Sequence, residues 1–375
     1  RLRFSQDGRD VSSLYMDNGY LFFNIEPVEV AVTTDSIDLE LRIFEGPQAT
    51  IDKVTIAGND RTHEHVVRRE LRTVPGEKFS RSDIIRSQRE IINLGYFNPE
   101  NLGINTPVNP QRGTVDIEYT VEEKPSDQLE LSAGWGGRGR GVIGTLGVAF
   151  NNFSARNIFN KESWSPLPQG DGQRLSLRAQ TNGRFYQSYN MSFTEPWLGG
   201  KKPNSLTVAG FVSILTNGQD RQSDGYGRLR NAGVTISLGT RLKFPDDNFV
   251  YSAALNLQNI SLKNYFGATI FRTPEGVTVS EGNFNNFSIT QTIARTTINN
   301  PIFPQEGSRV SLSVQLTPPY HLFTGRDEAN IEDPAERFRW LEYHKWKIDA
   351  EWYQTLVGKL TLKAAAKFGF LGAYD

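Results

Sequence analysis

The chain has 375 residues, room for more than one domain, and its formal net charge of -1 with no long block of Lys or Arg gives no case for nucleic acid or anionic lipid as a partner. It contains no cysteine, which excludes a thiol nucleophile, a disulfide framework and a thiolate metal site. No apolar run approaches the roughly 20 residues of a membrane-spanning helix, an observation that leaves membrane strands open.

Residues 1 to about 126 mix helix and strand signals. DVSSLYMDNGY reads as a short helix ending at Gly19. FFNIEPVEVAVTT and SIDLELRIFEG then alternate as two strands able to pair, and ATIDKVTIAG opens a new unit as a strand. THEHVVRREL predicts a helix with Val66, Val67 and Leu71 as its apolar stripe. SRSDIIRSQREIINLGYF predicts a second, with Ile84, Ile85, Gln88, Ile91 and Ile92 near a 3.6-residue period, Gly95 at its end, and Ser80 or Ser82 as its cap. A loop, NPENLGINTPVNPQRG, leads into the strand TVDIEYTVEEKP. The pairs Gly19–Tyr20 and Gly95–Tyr96, and the endings IFEGP and VEEKP, mark an internal repeat. Its unit is strand–helix–helix–strand–strand, and the first copy lacks its opening strand.

From about residue 127 the helical signal disappears and eleven period-2 segments follow, from LELSAGWG to KLTLKAAAKFGF. One face of each is apolar and the other often charged. Trp346, Ile348, Ala350 and Trp352 oppose Lys347, Asp349 and Glu351; Leu175, Leu177 and Ala179 oppose Arg174, Ser176 and Arg178. A sandwich, a soluble barrel and a membrane barrel can each use this pattern. Segments of about 9 to 12 residues match a tilted membrane strand better than the usual 5 to 6 of globular strands. Aromatics near segment ends, such as Tyr186, Tyr189, Trp197, Phe249 and Tyr251, also favour the membrane barrel. An odd count cannot close such a barrel alone, so further strands are expected.

Within the first of these segments, GWGGRGRG (134–141) contains G-x-G-x-x-G, the form of a dinucleotide-binding fingerprint. The chemistry needs a helix opening on the glycines. VIGTLGVAFNNF alternates instead as another strand, so the stretch reads as a strand hairpin.

The order of parts resembles the outer-membrane protein assembly factor (BamA) family. The specific matches are NNPIFPQEGSRVSLSV (299–314), with a turn of the form N-P-x-x-P-x-x-G; FTEPWLGGKKPNSL (193–206), with its E-P-W core; and Gly-Tyr-Phe at 95–97. The resemblance implies α+β polypeptide-transport-associated (POTRA) repeats followed by an antiparallel transmembrane β-barrel, about eleven of sixteen strands being present. The boundaries are 1–48 for a partial repeat, 49–126 for the last repeat and 127–375 for the barrel part. It further implies a bacterial (Gram-negative) outer-membrane location with the repeats in the periplasm. The implied partners are unfolded outer-membrane protein clients, assembly-complex lipoproteins and the lipid bilayer, with no nucleic acid. The repeats would take up clients by β-augmentation. The first barrel strand, Leu129, Leu131, Ala133, Gly134, Trp135 and Gly136, would template client strands at a lateral gate. Asn300, Pro301, Pro304 and Gly307 form the implied structural turn. The alternative is a related transporter for a dedicated client, of the two-partner secretion or translocation and assembly module type. Two departures stand out: the family's Arg-Gly-Phe motif and closing strands would lie beyond residue 375, and SARNIFNKESWSPLPQGDG (154–172) exceeds the short turn expected there.

No catalytic, cofactor-binding or metal residues are expected. His63 and His65 are two apart and would face different sides of a helix, making no metal pair; His321 and His344 are isolated. Glu195 belongs to a strand end, and Asp349 and Glu351 share a face with Lys347, where charges satisfy one another.

Overall fold

The computed structural model describes residues 11–136, 141–164, 167–265, 279–298, 303–325, 331, 333–358 and 360–374. The chain divides into two compact units, residues 1–126 with 151–172, and residues 127–150 with 173–375.

The first unit begins with α1 (Val11–Asp17) and a two-stranded antiparallel sheet of β1 (Asn24–Val32) and β2 (Ile37–Phe44). The repeat that follows runs β3 (Thr50–Ala57), α2 (Glu64–Arg68), α3 (Arg81–Asn93), β4 (Gly103–Asn105), β5 (Val108–Asn109) and β6 (Thr114–Thr120). β3 and β6 pair in parallel, and β4 and β5 each pair antiparallel to β6. A parallel pair needs a long crossover, which α2 and α3 supply while covering one sheet face. Between them lies the core: Val66, Val67, Ile91, Val115, Ile117 and Tyr119 are 0–1% exposed.

Local chemistry sets these boundaries. Ser80, in extended conformation, accepts the Asp83 N–H at 3.2 Å and so satisfies one orphan donor of α3. The buried stripe of α3 is Ile84, Ser87 and Ile91. This corrects the expected stripe, for Ile85 is 40% exposed and Ser87 takes the inner place. Ser87 is tolerated there because its hydroxyl accepts the Arg72 N–H at 2.8 Å.

The second unit contains β7 (Gln128–Trp135), β8 (Val142–Phe153, whose last residues belong to the first unit), β9 (Gln173–Thr181), β10 (Tyr186–Glu195), β11 (Asn204–Thr216) and β12 (Arg228–Arg241). It continues with β13 (Phe249–Lys263), β14 (Gly282–Thr296), β15 (Gly307–Leu316), β16 (His344–Val357) and β17 (Leu360–Gly372). They form one 11-stranded sheet in strict chain order. Each of the eleven alternating segments is one of its strands. Apolar side chains meet across strands on one face, as in Val208↔Ile236, Val234↔Leu257 and Ile348↔Phe368. The other face carries a polar ladder: Thr235 donates to Asn256 (3.1 Å), Asn256 to Thr290 (3.0 Å), and Gln258 to Asn231 (2.9 Å).

The expected barrel is not found. β7 and β17 lie at opposite ends of the sheet order, and no pairing joins them among the described residues. The physical reason is direction. In a meander whose neighbours are all antiparallel, the first and the eleventh strand run the same way, so they cannot close with the antiparallel pairing of a membrane barrel. The long connection between β15 and β16 also carries two short helices that the periodicity does not reveal, α4 (Tyr320–Thr324) and α5 (Pro334–Arg337).

Candidate functional site

β7 is an edge strand. It pairs with β8 from Gln128↔Ala149 to Trp135↔Val142, and no strand pairs with its other side among the described residues. Its eight residues are all exposed, with Leu129 at 71%, Leu131 at 78% and Trp135 at 73%. Ala133 and Gly134 continue this exposed row, and Gly136 N–H donates to Gly141 O at 2.8 Å at the hairpin end. Residues 137–140 lie outside the described residues, so of the fingerprint glycines only Gly134 and Gly136 are placed. The strand β8 follows them, and among the described residues no helix opens on them to hold a phosphate. An edge of this kind presents about half its amides unpaired, ready to extend the sheet with another chain.

Of the expected turn, Asn300 and Pro301 lie outside the described residues. Pro304 stands in the connection from β14 to β15, and Gly307 is the first residue of β15. Gly307 has φ +107°, and a Cβ there would lie 2.3 Å from the Thr297 carbonyl, so glycine is required where Thr297 N–H donates to Ser308 O at 2.8 Å.

The most elaborate polar arrangement involves the over-long segment. Residues 151–172 pack as part of the first unit. Asn152 donates to Thr62 Oγ1 (2.8 Å), and its Oδ1 accepts the Gly172 N–H (2.9 Å). His63 N–H donates to Gly170 O (2.9 Å), and the Tyr96 hydroxyl to Gly172 O (3.1 Å). Ser154 Oγ donates to Asp171 Oδ2 at 2.6 Å, while Asp171 Oδ1 lies 2.9 Å from His63 Nδ1 and 3.7 Å from His65 Nε2. Thr62, Asn152, Ser154 and Asp171 are all buried and bonded in two pairs, Asn152 with Thr62 and Ser154 with Asp171, so their burial leaves none of the four without a partner.

The expected divergence of His63 and His65 holds only where both ride on one helix. Instead His63 is the N-cap of α2 with extended backbone (φ -61°, ψ 141°), so its ring swings beside that of His65. The two rings stack with centroids 5.7 Å apart. Burial works to raise the Asp171 carboxyl, but the hydrogen bonds from Ser154 and His63 and the charges of His63 and Arg156 outweigh it and hold the carboxyl below the usual range. Burial likewise pushes the His65 imidazole below its ordinary value, against the pull of Asp171 and together with Arg69.

Elsewhere, the charges serve structure. Glu195 accepts from Trp197 N–H (3.0 Å) and Gln173 Nε2 (2.8 Å) at the strand end. Asp349 and Glu351 face Lys367 (3.9 Å) and Lys363 (3.0 Å) across β16 and β17. His321 is not isolated: its ring and its N–H both meet the Glu342 carboxylate. His344 accepts the Trp346 indole N–H at 3.1 Å.

A family model described as the Omp85 superfamily domain matches residues 169–375, and a POTRA model, described as a surface antigen variable number repeat, matches 49–124. The outer membrane protein assembly factor BamA of Neisseria meningitidis is 29% identical over 184 residues, 48% of this chain and 20% of that protein. The BamA of Neorickettsia risticii is 29% identical over 233 residues, 62% of this chain and 28% of that protein. A putative outer membrane protein assembly factor of Treponema pallidum is 26% identical over 215 residues, covering 57% and 24%. The chain thus spans less than a third of the length of these curated relatives. Among solved structures, BamA from Haemophilus ducreyi lacking POTRA domains 1-3 aligns with a TM-score of 0.60 at 19% identity, over 97% of this chain and 63% of that one. CdiB from Escherichia coli aligns with a TM-score of 0.54 at 12% identity, over 96% and 60%. These two likenesses show the fold alone. The chain is an outer-membrane protein with its POTRA region in the periplasm, and it is related to BamA. The chain belongs to the Omp85 superfamily.

Proposed function

We propose that this chain is part of the central subunit of an outer-membrane protein assembly machinery, a BamA-type factor that folds and inserts client outer-membrane proteins. The observation that carries this reading is the outer edge of β7, which pairs with no strand among the described residues and whose exposed strand offers main-chain groups to an incoming client strand. Main-chain pairing is tolerant of sequence, as a factor with many clients requires. The repeat adds a second acceptor of extended segments at its own sheet. The role of Leu129, Leu131, Ala133, Gly134, Trp135 and Gly136 is then that of a templating edge, and lipoproteins and bilayer are its surroundings. The division at 48/49 and 126/127 belongs to the same reading.

A dedicated-client transporter is the second reading, favoured by the likeness to CdiB. The two differ in client range. Adjacent residues of a strand send their N–H groups to opposite sides. In the full-length protein, Leu131→Pro and Ser132→Pro therefore separate the two edges of β7: one removes an amide facing the client, the other an amide bonded to β8. Client insertion into vesicles is expected to fall at least tenfold for the outward-facing proline while β7–β8 pairing persists. Insertion of several unrelated clients at the wild-type rate by both variants would refute templating at β7. Activity toward one client alone would favour the transporter.

A further inference from the structure

We propose that His63, His65 and Asp171 form a binding site for a divalent transition-metal cation of the zinc class, which clasps residues 151–172 onto the repeat. One donor atom from each of the three residues lies within 4.8 Å of the others, and His63 Nδ1 and His65 Nε2 both approach Asp171 Oδ1. Two of the separations are 2.9 and 3.7 Å. A tetrahedral zinc with bonds of about 2.0–2.1 Å holds neighbouring donors about 3.3 Å apart, so small ring rotations bring this trio to a common ion. Two imidazoles and one carboxylate suit zinc, copper or nickel, whereas calcium and magnesium demand oxygen donors.

The surroundings fit a ligand set. Ser154 occupies Asp171 Oδ2 at 2.6 Å, leaving Oδ1 turned to the rings, the outer-shell hydrogen bond that orients a metal-binding carboxylate. His63 Nδ1 and Asp171 Oδ1 lie 2.9 Å apart, and a cation binding both atoms would replace the hydrogen bond between them. The His63 and His65 side chains are 46% and 54% exposed and Asp171 is 8% exposed, so an ion would sit at the rim with water in its fourth position. Arg69 and Arg156 lie near enough to act on the trio and oppose a dication. They make an exchangeable clasp more apt than a permanent structural centre. Two residues come from the α2 end of the repeat and one from the segment beyond β8, so the ion would bridge parts of the chain 108 residues apart.

The test is a titration of the full-length protein in detergent with cobalt(II) as spectroscopic probe and zinc as competitor. One cobalt is expected to bind with visible d–d absorption of low-symmetry four-coordination, displaced by zinc. His65→Ala, which removes an exposed ring, and Asp171→Asn should each weaken binding at least tenfold, while His344→Ala leaves it unchanged. Zinc should also slow proteolysis within 151–172 in the wild type and not in His65→Ala. Cobalt binding by the wild type no tighter than by a His63→Ala/His65→Ala variant overturns the site. So does binding that survives in that variant and disappears in His344→Ala.

Discussion

Gly170→Ala tests whether residues 151–172 are held by a fitted contact. Gly170 has φ +121°, a region closed to most side chains, and its ideal Cβ would lie 2.8 Å from both the Arg61 carbonyl and the His63 ring. The backbone conformation alone costs about 1–3 kcal/mol for a non-glycine residue. The ring can rotate away, but the carbonyl is main chain, and pushing it off disturbs the adjoining His63 N–H to Gly170 O bond. A total of about 2–3 kcal/mol follows, spent locally because the segment can detach without unfolding the repeat. Hydrogen exchange of the full-length protein reads this directly at the His63, Gly170 and Gly172 amides, whose acceptors are Gly170 O, Asn152 O and Asn152 Oδ1. At 1.36 kcal/mol per decade, exchange there should quicken about 30- to 160-fold. The Val121 amide, bonded to Ala57 O in the sheet, should hold its rate. Acceleration under threefold at all three amides would refute the fitted contact, and equal acceleration at Val121 would refute its local character.

Ser80→Ala removes the side-chain acceptor for Asp83 N–H and is expected to destabilise α3 by about 1 kcal/mol, seen as about fivefold faster exchange at Asp83. Tyr119→Phe probes alkaline stability. Burial raises the Tyr119 phenol above its ordinary value, and the hydrogen bonds with Thr73 and Ser87 only partly offset it. A group whose folded value is raised contributes stability fully below its unfolded value of about 10, and that contribution is lost as pH rises through the folded value. The variant should be less stable than wild type near pH 8 by about 1 kcal/mol, through the lost Thr73 contact at 3.1 Å, and the gap should close above pH 10. A gap in unfolding midpoint that widens with pH would contradict the sign.

Much of the fold is legible because the physics behind it is local. A strand exposes its two faces alternately, so Leu175, Leu177 and Ala179 against Arg174, Ser176 and Arg178 place β9 at Gln173–Thr181 from the residues alone. The helix α3 was legible for the same reason, with a cap and a 3.6 period. Its stripe departs from hydrophobicity at one place: Ser87 enters the core because Arg72 offers it a donor, and that donor comes from outside the helix. The helix α5 carries a readable signal in Asp333–Pro334, a cap followed by a first-turn proline, which strand periodicity does not register; Asp333 does accept the Ala335 N–H at 2.9 Å. Closure was a different kind of question. Strand length and alternation describe how one strand meets its surroundings, and nothing in either states which strand lies at the far edge.

The cluster of His63, His65 and Asp171 marks where local rules stop working. That residues two apart diverge is a rule for residues inside a helix, and it fails when one of them is the extended cap. One dihedral pair at His63 therefore decides whether two imidazoles part or stack. The third member was hidden by distance, since nothing near Asp171 in sequence points to the repeat. The usable clue was an excess. SARNIFNKESWSPLPQGDG is too long for a turn, and additional chain bearing Ser154 and Asp171, with Asn152 just before it at the end of β8, must satisfy its polar groups somewhere. It does so against Thr62, His63 and Tyr96, through backbone positions at Gly170 and Gly172. A segment that departs from the expected pattern and is then held by buried hydrogen bonds to the repeat does more than join two strands, and its Asp171 brings a carboxylate to the paired rings of His63 and His65.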